Sequence, residues 1–368
     1  RQKQDAFIFN MVEALMIFWA LVVESVMTDG EVFMGIGGGS GLYLWLLSSI
    51  TVINIGAGAV IPLVIRDKTK RLNYLMAGVC IMLGSVAIFV LMALVHSERD
   101  HVLGNFWLLF ISGAVPLVVS QIVNPIVESA FNLITDSRLS ELTDSRRPLL
   151  RRLATEAAGT YNHSLAVANL AETCASAIGE DPYLARAAAY YHDVGKLANP
   201  SYFAENQAGY NPHDDILPEV SAEIIRSHTT DGYKLLKAYR LPEEIARVAI
   251  EHHGTMPITV FYERAKKLTD GEVDVADYSY HGETPTTKIA GIIMICDSSE
   301  AAIRAMDKPD GERVDKLLRS IIETRIKLGQ FDRCKLSLLD MDIIRKTIIN
   351  AYGGLFHKRV KYPGGEKE

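Results

Sequence analysis

Apolar and polar positions are sharply segregated along this chain. From Ala6 to about Val127 long apolar runs dominate, whereas from Glu128 onward charged side chains recur every few positions, as on solvated helices. Four runs reach the roughly 20 apolar residues needed to cross a bilayer. They extend from Ala6 to Met27, Leu42 to Ile65, Tyr74 to Val95 and Phe106 to Val127. The first carries Glu13 and Glu24, which predicts a bundle-facing or interfacial segment rather than one surrounded by lipid.

Lys and Arg accumulate on the cytoplasmic side of membrane helices. The basic loop Arg66-Asp67-Lys68-Thr69-Lys70-Arg71 is therefore expected inside, as are Arg1 and Lys3 before the first run. The loops from Asp29 to Gly41 and from His96 to Gly104 are expected outside. The fourth run then exits into the cytoplasm beside Arg138, Arg146, Arg147, Arg151 and Arg152. The expected architecture is all-α: a transmembrane helical bundle over 1–127, a connector over 128–152, and a cytoplasmic helical domain over 153–368 of a multi-pass cell-membrane protein. Within the connector, a helix continuing from Asn124 is expected to break near Pro148, because proline lacks the N–H that an unbroken helix needs. Signal relay and passive tethering both fit such a segment.

Composition narrows the function. The 368 residues are 49% hydrophobic with a mean hydropathy of +0.12, too apolar for an ordinary soluble protein and too charged for a pure transporter. A net charge of −6 argues against nucleic acid as the main partner, and an anionic substrate would then need local positive charge such as metal ions. Cys80, Cys174, Cys296 and Cys334 are scattered without Cys-x-x-Cys spacing, so neither a thiolate zinc site nor a disulfide framework is expected. The sequence opens at Arg1, close to an apolar run, as expected of the downstream portion of something longer.

From Thr160 onward the pattern becomes amphipathic at helical spacing, and histidines fall on the apolar faces. His163 shares a face with Val167, Leu170, Ala171 and Cys174. His192 closes a stripe with Ala185, Ala188 and Ala189, and His228 one with Ser221, Ile224 and Ile225. A helix starting near Pro242 carries Ile245, Val248, Ala249 and His252, while Asp297 follows Ile289 and Ile293. A lone buried histidine is ordinary, but a buried unpaired carboxylate costs several kcal/mol or loses its charge. Several such groups on separate helices compensate one another best by converging on cations. The adjacent pairs His192-Asp193 and His252-His253 could flank such a site, since helix neighbours differ by about 100°. Imidazole and carboxylate without thiolate suit Mn, Fe, Zn or Ni rather than Ca. There are too many groups for one tetrahedral ion, so two metals sharing a carboxylate is the simplest reading, an arrangement suited to displacement at phosphorus.

These residues also carry a family resemblance. His163, His192-Asp193-Val194-Gly195-Lys196, His228, His252-His253 and Asp297 resemble the extended metal signature of the HD phosphohydrolase superfamily. Gly159-Thr160-Tyr161-Asn162-His163-Ser164, Tyr190-Tyr191-His192-Asp193, Tyr202-Phe203-Ala204-Glu205-Asn206-Gln207 and His252-His253-Gly254-Thr255 resemble the seven-transmembrane HD proteins, the PgpH type of bacterial cyclic di-AMP phosphodiesterase. Two departures stand out. Ile289 follows Lys288 where that family often has an acidic residue, and the Gly-Tyr-Pro element of the cyclic di-GMP branch is absent after His253.

The resemblance implies two divalent transition-metal ions, manganese or iron. One would take His163, His192, Asp193 and Asp297, the other Asp193, His228, His252 and His253, with Asp193 bridging. It further implies that the four runs are the last of seven spans below a sensory region, and that the substrate is cyclic di-AMP, opened to the linear dinucleotide pApA. Asp193 and Lys196 are the catalytic candidates. Lys196 either reaches a phosphate oxygen or serves as a helix-end charge. The loop from Asn199 to Pro218, with Tyr202, Phe203 and Tyr210, either covers a purine or packs, and His213 within it is expected to be no ligand. Two other readings stay open: hydrolysis of another nucleotide such as guanosine tetraphosphate, and a non-catalytic nucleotide-binding module. Homo-oligomerisation is compatible with each.

Overall fold

A computed structural model describes residues 134–269, 271–307 and 309–356, with the isolated positions Leu83, Ile126 and Ala130. Those isolated positions apart, the four apolar runs lie outside the described residues. Among the described residues no helix is long and apolar enough to cross a membrane. The chain divides into two compact units, Arg1–Arg138 and Leu139–Glu368, and the second carries the site.

Ten α-helices are described: α1 Asp136–Leu142, α2 Pro148–Glu156, α3 Ala158–Ala177, α4 Pro182–Tyr191, α5 Pro218–Ala238, α6 Glu243–Glu251, α7 Thr259–Leu268, α8 Lys288–Arg304, α9 Gly311–Lys327 and α10 Leu338–Phe356. Short 3-10 turns fill part of the longer connections, and no strand occurs among the described residues beyond one isolated bridge between Pro257 and Ser279. The break expected near Pro148 falls at residues 143–147, and Pro148 itself opens α2, where its missing N–H costs nothing. Leu149, Leu150 and Leu153 of α2 are buried, so the end of the segment read as a connector contributes to the helical core.

Local chemistry explains where the main helices begin. Asp181 caps α4 by accepting from the backbone N–H groups of Tyr183 and Leu184, with Pro182 at the first helical position. Thr287 caps α8 through the N–H of Ala290, and Asp310 caps α9 through that of Arg313. Helix α8 is buried along nearly its whole length from Ile289 to Cys296, as expected of a helix that is apolar all round. Against it lie α3 and α4, whose buried faces include Ala168, Ala171, Ala175, Ala185, Ala188 and Ala189. Small side chains bring these backbones close, and the polar groups carried on the facing surfaces are thereby forced together.

One glycine fixes the approach of a further helix. After α4 the chain turns through Val194–Ala198, and Gly195 packs directly on α5. A Cβ there would lie 1.9 Å from the carbonyl oxygen of His228.

Candidate metal centre

Of the seven residues singled out from the sequence, three lie within helices and four follow the C-terminal ends of two others. His163 lies within α3, His228 within α5 and Asp297 within α8, while His192 and His252 stand at the C-terminal ends of α4 and α6. The two adjacent pairs do not sit on continuous helix as expected. Helices α4 and α6 end at Tyr191 and Glu251, and Asp193 has turned to φ −108° and ψ 12°. Gly254, at φ +54°, completes the turn after His253, and Gln330 holds it by bonding both the N–H and the hydroxyl of Thr255.

The side chains converge in two groups. Ligand atoms of His163, His192, Asp193 and Asp297 lie within 4.8 Å of one another, as do those of Asp193, His228, His252 and His253. These are the same two sets that the resemblance implied. Asp193 divides its oxygens between them. Its Oδ2 is 3.3 Å from His192 Nε2 and 3.6 Å from His163 Nε2, while its Oδ1 is 3.3 Å from His228 Nε2 and 3.5 Å from His252 Nε2. Asp297 Oδ1 is 2.9 Å from His163 Nε2, and its Oδ2 is 3.7 Å from His253 Nδ1.

Hydrogen bonding around the periphery decides what the centre can accept. The Nδ1–H groups of His192, His228 and His252 donate to the carbonyls of Ala189, Ile225 and Ala249, at 2.7, 2.5 and 2.9 Å. A neutral imidazole that donates through Nδ1 carries a lone pair on Nε2. Three such lone pairs therefore point inward at carboxylate oxygens that are also acceptors. His228 Nε2 and His252 Nε2 face each other at 3.3 Å, and His192 Nε2 and Asp193 Oδ1 are buried without a hydrogen-bond partner. Buried acceptors without donors are costly. A cation would relieve the arrangement, and the outward N–H bonds are the usual support of metal-ligating histidines. The residues present thus fit a divalent metal.

Electrostatics point the same way. Burial pushes His252 and His253 below the ordinary imidazole range, which keeps them neutral. For Asp193 burial acts upward, but the Lys196 ammonium beside it works against burial and the carboxylate stays ionised; the hydrogen bond from His163 does the same for Asp297. His163 is the exception. Burial opposes its charge, yet hydrogen bonds to Asp297 and to Glu300, the latter at 2.5 Å from Nδ1, lift it to about 10.

Protonated, His163 places a positive charge between Asp297 and Glu300. Because the folded value exceeds the ordinary 6.5, its stabilisation is complete below that pH and disappears as pH rises through about 10. Chelator-treated protein is expected to melt at progressively lower temperature between about pH 7 and pH 10, and saturating Mn²⁺ to remove that decline. A flat profile in chelator contradicts this. Asp193 and Asp297 act in the opposite window, their contribution being present above the ordinary 3.8 and lost as pH falls below it.

Several contributors were not singled out from the sequence. Glu300 is buried one turn beyond Asp297 and orients His163. Glu205, quoted above only within a motif, binds Lys196 Nζ at 2.7 Å, the distance at which Lys196 also meets Asp193 Oδ2. Both carboxylates raise the pKa of buried Lys196 against its desolvation, so it is a fixed cation rather than a proton acceptor. Tyr280 stacks on His253 with ring centroids 4.3 Å apart. In the loop from Asn199 to Pro218, Phe203 is buried edge-on against His228, whereas Tyr210 is 63% exposed. His213 bonds the carbonyl of Tyr202 and belongs to neither ligand group.

Beside the centre opens a cleft of about 290 Å³ whose walls include His163, Lys196, His253, Tyr280 and Asp297.

Residues 160–302 match the HD domain family, an interval that contains all seven clustered side chains. Cyclic-di-AMP phosphodiesterase PgpH of Bacillus subtilis (strain 168) is 45% identical over 222 residues, 60% of this chain and 31% of that protein. Its namesake from Listeria monocytogenes serotype 1/2a (strain 10403S) is 36% identical over 362 residues, 97% of this chain and 50% of that protein. The crystal structure of the L. monocytogenes phosphodiesterase PgpH HD domain is covered over its whole length by 58% of this chain, at 44% identity and a TM-score of 0.55. The chain belongs to the PgpH-type HD-domain family. A second structure of that L. monocytogenes HD domain, in complex with cyclic-di-AMP, matches at 44% identity and a TM-score of 0.56. The PgpH-type chain described here spans half or less of the length of the two full-length relatives.

Proposed function

We propose that this chain is a metal-dependent phosphodiesterase that hydrolyses cyclic di-AMP to pApA. The observation that supports the reading is a buried His/Asp cluster, divided into two groups by the oxygens of Asp193, in which His192 Nε2 and Asp193 Oδ1 have no hydrogen-bond partner. The structure of a 44% identical HD domain in complex with cyclic-di-AMP supports this substrate. Divalent ions, manganese or iron, would supply an activated water and neutralise charge at phosphorus. The seven clustered residues would hold them, with Asp193 belonging to both groups. Water adds to one phosphorus, the P–O3′ bond breaks, and the 3′ oxygen leaves as a hydroxyl, so one 5′-phosphate remains. His192, His228 and His252 are locked in one tautomer by their carbonyl partners, and Glu300 fixes His163. Lys196, itself paired with Glu205, holds Asp193 in place.

The reading extends to the apolar half. Residues 1–127 cross the cell membrane four times, leave the HD domain in the cytoplasm and couple it to an upstream sensory region. The alignment to the L. monocytogenes relative, which takes in nearly the whole chain, supports treating both halves as one system.

The experiment is turnover of a nucleotide panel by the detergent-purified chain, with Mn²⁺ or with chelator. Metal-dependent conversion of cyclic di-AMP to pApA, faster than loss of guanosine tetraphosphate, is the expected result. Preference for another nucleotide overturns the substrate, and turnover indifferent to chelator overturns the metal.

A further inference from the structure

The cleft extends beyond the ligand cluster. Asp297, Ala301 and Arg304 recur at i, i+4 and i+7 on α8 and line one wall, and Arg325 of α9 lines it as well. Over those seven residues the helix rises by roughly 10 Å, with the small Ala301 leaving room between the metal-facing carboxylate and Arg304.

The cations of this cleft differ in their partners. Lys196 is neutralised by Asp193 and Glu205, and Arg304 meets Glu300 at 3.6 Å. Arg325 meets no carboxylate at ion-pair distance among the described residues. Its guanidinium bonds the carbonyl of Ile321 on its own helix and the hydroxyl of Ser298, beside Asp297. Its Nε is buried with no partner. A guanidinium offers five donors in a fork that matches phosphate oxygens, so a largely buried one lacking an anion is an incomplete arrangement.

We propose that Arg325, lining the same cleft as Arg304, forms an anion subsite that takes the second phosphate of a substrate whose first phosphate lies at the His/Asp cluster. The inference rests on the phosphodiesterase reading and adds a reason for it to favour dinucleotides: two phosphates must be held at once, one at the cluster and one along α8. A substrate with one phosphate leaves Arg325 unpaired. Arg325 touches the phosphate that is not cleaved, so it governs binding rather than the chemical step.

The test compares Arg325→Gln and Arg325→Lys with the parent chain, in detergent and with Mn²⁺, by measuring kcat and KM for cyclic di-AMP and metal content. Losing one charge-assisted contact to a phosphate is expected to raise KM about ten- to hundredfold. In Arg325→Gln, kcat and metal content should change far less than KM, and Arg325→Lys should recover part of the loss. An unchanged KM overturns the proposal. So does a collapse of kcat with loss of metal and no rise in KM, which would mark a structural role. Failure of the parent chain to cleave cyclic di-AMP refutes the substrate reading instead. The same substitutions are then measured on whichever nucleotide of the panel is cleaved, and a substrate with a single phosphate overturns the subsite too.

Discussion

Replacing Asp193 by asparagine is expected to lower turnover of cyclic di-AMP by roughly 200- to 5,000-fold, because breaking a buried charge network costs about 3–5 kcal/mol and each 1.36 kcal/mol is tenfold in rate. No other side chain in the centre touches as many partners. Its oxygens face four imidazoles and the Lys196 ammonium. Asparagine keeps the shape but removes the charge, and its NH₂ places a donor where a ligand lone pair was. Metal content should fall with activity, while Lys196 keeps Glu205 as its partner and the fold survives. Turnover within tenfold of the parent, with metal retained, would show that Asp193 does not link the two groups.

Gly195→Ala should produce a large loss of stability. The new Cβ would lie 1.9 Å from the His228 carbonyl oxygen and 2.5 Å from the Gly232 backbone nitrogen, and neither can swing aside as a side chain could. The turn after Asp193 and helix α5 must separate. Overpacking costs typically 1–3 kcal/mol, and with backbone on both sides the upper end, about 3 kcal/mol, is expected. For a domain of this size that lowers the melting temperature by roughly 6–12 °C. Activity should fall beyond what unfolding explains, because His228 moves with α5 away from Asp193. A melting temperature and activity equal to those of the parent would mean that the approach is looser than the structure has it.

Five of the seven clustered residues, His163, His192, His228, His252 and Asp297, were legible in the sequence because polar groups capable of binding metal recurred on faces otherwise apolar; Asp193 and His253 came in as their neighbours and through the resemblance. His163 beside Val167 and Leu170, or Asp297 after Ile289 and Ile293, could not point to solvent without exposing the stripe they share. The division into two groups was not readable from periodicity, and came only through the resemblance, because it depends on how α3, α4, α5, α6 and α8 cross. Glu300 escaped notice because a glutamate one turn from an aspartate resembles ordinary helix patterning. Only the packing of α8 against α3 shows it buried behind His163. Glu205 lies in a stretch without helical period, where nothing local says that Lys196 will fold against it. The helix-end geometry of His192-Asp193 and His252-His253 was misjudged for a related reason. Periodicity continues smoothly through both pairs, whereas the turns that end α4 and α6 are set by Gly195 packing on α5 and by Gly254 at positive φ.

Anomalous diffraction from crystals of the Mn²⁺-loaded protein tests the central claim most directly. Two peaks are expected about 3.5–4 Å apart, the usual spacing of paired catalytic metals. One should be ringed by His163, His192 and Asp297, the other by His228, His252 and His253, with one oxygen of Asp193 on each. A single peak, or none among these residues at saturating metal, would contradict the account.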